Sequence, residues 1–183
     1  MNLAKKIAAI FIIIILSLMI AGIYGILHDQ ITYSISPEYY TKFKFIQFGL
    51  VEGNDTPIRN LRLLVAVTGW MATWWVGFII GIMLLMLALR QNSLRAMITT
   101  SVKAILITIA VAIIIGIAGY TYGSLIMINQ PETYAGWYIP ESVTDINSFV
   151  IVGSIHNFSY MGALTGLIIA IYFNFRKRSE QNT

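Results

Sequence analysis

Residues 7 to 27 read IAAIFIIIILSLMIAGIYGIL, a run without a single charged side chain or histidine. A helix of that length spans about 30 Å, which is the thickness of the hydrocarbon core of a bilayer. Lys5 and Lys6 precede the run, and His28 and Asp29 follow it directly. The stretch therefore predicts a membrane-spanning helix that ends beside two ionisable residues.

Three more uncharged runs of similar length follow, at 63–89, 104–128 and 149–175, and only the last contains a histidine, His156. The whole chain of 183 residues is 57% hydrophobic and 11% charged, with a mean hydropathy of +0.75. This composition is too apolar for a soluble domain of this size. The sequence predicts an all-α integral membrane protein, a single domain 1–183 built as an up-down bundle of four transmembrane helices.

Basic residues are distributed unevenly between the two ends of the predicted spans. One end has eight Lys or Arg against the single acid Glu180, whereas the other has four against seven acids. Because basic residues are retained on the cytoplasmic side of short loops, the first end is predicted to be cytoplasmic, with both termini inside. The eight basic residues are Lys5, Lys6, Arg90, Arg95, Lys103, Arg176, Lys177 and Arg178. The acidic end, which includes Asp55, then faces outward, and the bacterial cytoplasmic membrane is the expected location.

Several function classes are disfavoured by the sequence. The pI of about 9.4 comes mainly from the basic residues that set the orientation, and no basic cluster interleaves with aromatic residues, so a nucleic-acid partner is not expected. The sequence has no cysteine, which excludes disulfides and thiolate metal ligands. It also lacks the phosphate-binding glycine loop, the GxSxG elbow and the dinucleotide fingerprint.

Two outer segments, 28–62 and 130–148, are predicted to form an extracytoplasmic cap over the bundle. Apolar and polar residues alternate over 31–36, which predicts a short extended piece. Ser36 and Pro37 then suit the N-cap and first position of a short helix lying on the bilayer or over the bundle. In this helix Glu38 lies four residues before Lys42, a spacing that favours an ion pair, and Gly49 suits the C-terminal end. The alternation in KFKFIQF, residues 42–48, also permits a strand.

Pairs of glycines recur within the last three predicted spans at a spacing of four residues. This spacing lets the backbones of two helices approach closely. The contacts are either between helices of one chain or between copies of the chain in an oligomer. The pairs are Gly77/Gly81, Gly119/Gly123 and Gly162/Gly166.

The two histidines are predicted to lie at one depth in the membrane. His28 lies 22 residues after Lys6, and His156 lies 20 residues before Arg176. At about 1.5 Å per residue these depths differ by about 3 Å. Since the first and last helices of an up-down bundle are expected to be neighbours, both imidazoles are predicted to meet at the outer rim, close to Asp29.

Two imidazoles and one or two carboxylates are a ligand set suited to zinc, iron or copper. The predicted ligands are His28 and His156 with Asp29 and Glu38, either as direct ligands or as acceptors that orient an imidazole. Supporting polar groups are expected from Asn157, Ser159 and Tyr160. A haem held by both histidines is less favoured, because both residues are predicted to lie near water.

The alternative interpretation of the histidines is structural. A histidine at the membrane interface or inside a bundle is often satisfied by water or by a neighbouring carbonyl.

Three functions follow from these interpretations. The first is a metal site that acts on a lipid-soluble substrate beneath the cap. The second is a non-catalytic subunit of a membrane complex or homo-oligomer, with the outer segments as the docking surface. The third is transport, which is weaker because carriers usually place ionisable residues near the bilayer centre and the predicted spans have none there. A pore between subunits stays open, since oligomeric channels can be lined by small and apolar residues.

Overall fold

The computed structural model describes residues 2–52 and 59–181, with side chains described up to residue 174. All regular structure in these ranges is helical, which confirms the all-α class. Asp55 therefore lies outside the described residues, as do the side chains of the C-terminal charges from Arg176 to Glu180. The helices are α1 (Leu3–Ile35), α2 (37–47), α3 (Leu61–Ala88), α4 (Leu94–Leu125) and α5 (Ile146–Gln181), and two short 3₁₀ helices, Met127–Asn129 and Pro131–Tyr134, follow α4.

Four of these helices, α1, α3, α4 and α5, are long and apolar enough to cross a membrane, as the sequence predicts. They associate as two close pairs. Helix α1 packs along α3, and α4 packs along α5, while contacts between the two pairs are fewer. The expectation that the first and last helices are neighbours holds only over a short stretch, which includes the two histidines.

The glycine pairs lie inside these two close contacts. Gly77 and Gly81 face Ser17 of α1, and a Cβ added at Gly166 would lie 2.8 Å from the Cα of Thr108 in α4. Gly119 and Gly123 likewise face α5, and Gly162 faces α4. Within the described residues, all three pairs therefore serve packing within the chain.

Helix α1 continues to Ile35, so the extended piece predicted for 31–36 is wrong, and His28 and Asp29 lie within the helix. The hydroxyls of Thr32 and Ser34 each donate to a backbone carbonyl one turn back in the helix. Both hydroxyls thereby find acceptors within the helix itself, so neither is left unpaired. Thr32 and Ser36 are one helical turn apart, and both lie on the buried face.

Helix α2 begins and ends as the sequence predicts. The Ser36 hydroxyl accepts a hydrogen bond from the backbone N–H of Tyr39, and Gly49 adopts φ +66° just after the helix. Glu38 and Lys42 form the expected ion pair. A π-helical turn, Tyr40–Lys44, separates two short α-helical turns within the segment.

Aromatic residues of α2 fill the end of the bundle beside the histidines. Tyr39, Tyr40 and Phe45 are buried and pack with Val65 of α3 and Phe149 of α5. The loop residue Val143 and Val152 of α5 complete this cluster. Helix α2 is therefore packed into the fold.

Candidate metal centre

His28 and His156 come together where α1 and α5 meet. Their ring centroids are 4.8 Å apart, and the rings are nearly perpendicular, at 87°. His156 is 5% exposed and Asp29 is 3% exposed, so two ionisable groups are buried in a predominantly apolar bundle. Burial of charge at membrane depth is costly unless the charge is paired, so these side chains require partners.

One carboxylate oxygen joins the two imidazoles. Oδ1 of Asp29 lies 3.1 Å from Nδ1 of His28 and 3.3 Å from Nε2 of His156. One ligand atom from each of the three residues can be chosen such that all lie within 4.8 Å of one another. Among the described residues, these three side chains form a group of ligand atoms that could hold a metal ion.

Each imidazole uses its second nitrogen for a bond that orients the ring. Nδ1 of His156 lies 2.9 Å from the backbone carbonyl oxygen of Val152, one helical turn earlier. A carbonyl oxygen only accepts, so this nitrogen carries a proton and donates. Nε2 of His28 lies 3.3 Å from Oγ of Ser159. Such outer bonds fix the tautomer and orientation of histidines that ligate metals.

The bond to Val152 determines what Nε2 of His156 can do. In a neutral imidazole with its proton on Nδ1, Nε2 carries a lone pair. That lone pair faces Oδ1 of Asp29, and an ionised carboxylate has no proton to donate. Two acceptors in contact require a cation between them, either a proton or a metal ion.

Two further polar atoms beside this group are buried and make no hydrogen bond of normal length and angle. They are Oδ2 of Asp29 and the hydroxyl of Tyr24. Both residues line a narrow internal cavity of about 70 Å³, together with both histidines. At roughly 10–15 Å³ per water, the cavity is large enough for a few waters or for other ligands of an ion.

Of the other residues predicted for the site, some lie beside the histidines and others do not. Ser159 contacts His28, as described, and Tyr160 lines the internal cavity although 41% of the residue is exposed. Asn157 is exposed on the outer face of α5. Glu38 lies outside the group formed by the two histidines and Asp29.

Glu38 instead connects α2 to the start of α5. Its carboxylate accepts hydrogen bonds from the backbone N–H groups of Thr144, at 2.9 Å, and Asp145, at 2.8 Å, and it pairs with Lys42. Lys42 also donates to the carbonyl of Ser142. Partial burial raises the pKa of Glu38, but the bonds from Asp145, Lys42 and Thr144 outweigh it and lower the pKa to about 2.

Three contributors to the site were missed at the sequence level. Tyr39 stacks on His156, with centroids 5.1 Å apart at 26°, and burial raises the pKa of its phenol. Tyr24 lies one helical turn before His28, so the two residues share a face of α1. The predicted span ends at Leu27 and therefore does not place His28 on the same helix face. The Val152 carbonyl, one turn before His156, carries no signal in the side-chain pattern.

No family model, curated protein or solved structure matches this chain. The function must therefore be inferred from the chemistry of the site itself.

Proposed function

We propose that this protein is an integral membrane metalloprotein that binds one transition-metal ion through His28, Asp29 and His156. The observation that carries the proposal is the contact between Nε2 of His156 and Oδ1 of Asp29, two acceptors 3.3 Å apart. A metal ion between them satisfies both lone pairs. It also offsets the cost of burying a carboxylate in the bundle.

The separation of these atoms agrees with coordination to a common ion. Zinc bonds nitrogen and oxygen ligands at about 2.0–2.2 Å, so two ligands of one tetrahedral ion lie roughly 3.4 Å apart. The distances from Oδ1 of Asp29 to the two histidine nitrogens, 3.1 and 3.3 Å, are close to this value. The ligand atoms of the three residues all lie within 4.8 Å of one another, a limit longer than the roughly 3.4 Å between two ligands of a bound ion. Binding therefore draws the two imidazoles closer together.

Three protein ligands leave a coordination position open. Sites with three ligands and one water or substrate are typical of catalytic zinc, whereas structural zinc sites use four protein ligands. The internal cavity beside Asp29 provides space for that water. The mixed nitrogen and oxygen ligands suit zinc, iron or copper. The edge-to-face contact of the rings leaves no space between them for a macrocycle, so haem is not part of the proposal.

The proposal places the metal centre at the outer surface of the membrane. The distribution of basic residues supports this orientation, with both termini in the cytoplasm. Helix α2 and the loop before α5 then form an extracytoplasmic cap over the site. Support for the cap comes from the stacking of Tyr39 on His156 and from the bonds of Glu38 to Thr144 and Asp145.

The accessory-subunit and pore hypotheses remain predictions. One observation that motivated oligomer contacts, the glycine pairs, is accounted for by packing within the chain.

Elemental analysis of the purified protein tests the proposal. The protein is expressed with zinc, iron and copper in the medium, purified in mild detergent, and its metal content is measured by mass spectrometry. We expect about one ion per chain in the wild type and in the matched control Asn157→Ala, whose side chain is exposed one residue away. His156→Ala removes a ligand, and we expect it to lose the metal.

Circular dichroism and gel filtration establish whether the variants are folded. A wild-type protein that is helical and monodisperse, yet carries no metal and takes none up from solution, would overturn the proposal. A proton on Nε2 of His156, in an ion pair with Asp29, would then account for the contact.

A further inference from the structure

Tyr40 of α2 is packed against the group formed by the two histidines and Asp29. It is 0% exposed, and the centroid of its ring lies 6.4 Å from that of His156. Its hydroxyl oxygen is 2.5 Å from Oγ1 of Thr32, which lies on α1 three residues after Asp29. A buried tyrosine hydroxyl needs a hydrogen-bond partner, so the acceptor of its proton determines what Tyr40 does.

The phenol of Tyr40 also interacts with the carboxylate of Asp29. Burial and the negative charge of Asp29 raise the pKa of Tyr40, and hydrogen bonding to this carboxylate adds to the effect. Oδ1 of Asp29 is occupied by the two imidazoles. Oδ2 is buried and makes no hydrogen bond of normal length and angle within the part of the chain that the structure describes. Tyr40 is therefore a donor beside a carboxylate that has one oxygen free to accept.

Thr32 and Tyr40 carry one hydroxyl proton each, and the two protons can be assigned in two ways. In the first, Thr32 donates to the carbonyl of His28, 3.2 Å away, and Tyr40 donates to Thr32. Oδ2 of Asp29 then has no donor. In the second, the proton of Thr32 turns to Tyr40, and Tyr40 donates to Oδ2. The carbonyl of His28 has a partner in both, because a carbonyl inside a helix also accepts the backbone N–H four residues later.

The second assignment gives every polar atom of this group a partner. A buried acceptor without a donor costs free energy, and a charged acceptor costs more than a neutral one. A hydrogen bond to a carboxylate is also stronger than one between two neutral hydroxyls. The second assignment is therefore the more stable one.

We propose that Tyr40 is a positioning residue, which donates a hydrogen bond to Oδ2 of Asp29 and so holds Oδ1 toward the two imidazoles. The inference rests on the proposed metal centre for its functional meaning, because hydrogen bonds to a ligating carboxylate orient it and raise metal affinity. The hydrogen bond itself forms with or without a metal ion.

Nuclear magnetic resonance of the metal-free protein tests the hydrogen bond. The chain has two histidines, so labelling with ¹⁵N-histidine reports on these two rings alone. Tyr40→Phe removes the donor to Oδ2 and leaves Asp29 a stronger acceptor at Oδ1. We expect the resonances of Nδ1 of His28 and Nε2 of His156, which both face Oδ1, to shift.

Thr32→Val distinguishes the two assignments of the protons, even if Tyr40→Phe does not fold. If Tyr40 donates to Asp29, loss of the Thr32 hydroxyl leaves that bond in place, and we expect the histidine resonances to stay unchanged. If Tyr40 donates to Thr32 instead, the variant turns the phenol proton to Asp29 and shifts the resonances. A shift in Thr32→Val, or no shift in folded Tyr40→Phe, would overturn the inference.

Zinc affinity, measured by competition with a chromophoric chelator, tests the consequence for the metal centre. We expect Tyr40→Phe to bind zinc roughly 10–100-fold more weakly than the wild type. Tyr39→Phe is the matched control, because it removes a hydroxyl from the neighbouring residue and keeps the ring that stacks on His156. We expect this control and Thr32→Val to bind zinc as the wild type does. Equal affinity of Tyr40→Phe and Tyr39→Phe would overturn the positioning role.

The two measurements separate this inference from the metal centre. A wild type that takes up no zinc, iron or copper would overturn the metal centre, and the histidine resonances would still decide whether Tyr40 donates to Asp29. A wild type that binds metal, with resonances and affinity that Tyr40→Phe leaves unchanged, would overturn the inference and support the metal centre.

Discussion

At the scale of single residues, the structure gives the two candidate carboxylates different roles. Asp29 is buried between two imidazoles, whereas Glu38 is bound to backbone N–H groups at the start of α5 and to Lys42. A negative charge at a helix N-terminus is favourable because the first N–H groups of a helix lack partners. Glu38 therefore links α2 to α5 and stabilises their packing beside the two histidines.

The depressed pKa of Glu38 predicts how this fastening depends on pH. A carboxylate with a lowered pKa stabilises the fold above its ordinary pKa of about 4.5, and this stability is lost as the pH falls toward about 2. We expect Glu38→Gln to lower the free energy of unfolding at pH 7 by about 1.5–3 kcal/mol, the usual value for hydrogen bonds to a charged group. The difference from the wild type should shrink between pH 4.5 and pH 2.

Thermal unfolding in detergent, followed by circular dichroism across this pH range, measures the effect. Glu141→Gln is the control, because Glu141 is exposed in the loop before α5, which Glu38 contacts. A destabilisation by Glu38→Gln that is equal at pH 2 and pH 7 would contradict the assigned role.

The histidine site was predictable in part. Counting residues from the flanking charges placed both imidazoles at one depth, and the structure brings His28, Asp29 and His156 together. The role of Glu38 could not be predicted, because it depends on how the chain before α5 folds back onto α2. That arrangement depends on hydrogen bonds from backbone N–H groups. Every sequence has such groups, so no side-chain pattern indicates which of them will bind Glu38.

At the scale of helices, close backbone contacts hold α1 to α3 near His28. Gly25 of α1 and Gly69 of α3 face each other, and a Cβ added at Gly69 would lie 2.6 Å from the carbonyl carbon of Gly25. Gly25 is less than one turn before His28. This contact cannot be predicted from the sequence pattern, because the two glycines lie on different helices and form no repeat at a spacing of four.

We expect Gly69→Ala to destabilise the protein by about 1–3 kcal/mol, the usual cost of overpacking a well-packed contact. The added methyl group meets backbone atoms, so α1 must move away from α3. Gly136→Ala is the control, because a Cβ at Gly136 meets nothing within 4 Å. Denaturant titration followed by tryptophan fluorescence measures the difference. Equal stability of the two variants would show that α1 and α3 do not meet at these glycines.

At the scale of the whole molecule, the number of spans was predictable but their pairing was not. Each span is marked by some twenty apolar residues, because the bilayer sets that length. Lipid and protein interior are equally apolar, so hydrophobicity does not distinguish the side of a helix that meets another helix. The arrangement of α1 with α3 and of α4 with α5 depends on close packing at small residues, which needs both partners to be known.

The orientation of the bundle determines on which side of the membrane the proposed metal centre lies, and it can be tested directly because the chain has no cysteine. A single cysteine is introduced either at Gly136, in the loop between α4 and α5, or at Asn92, in the turn between α3 and α4. Both positions are exposed, and they lie at opposite ends of the spans. The uneven distribution of basic residues predicts that a membrane-impermeant maleimide labels Gly136→Cys in intact cells, but Asn92→Cys only after permeabilisation. The opposite pattern would mean that the bundle is inverted and that the proposed metal centre lies at the cytoplasmic surface. Labelling of both variants in intact cells would indicate that the chain inserts in both orientations.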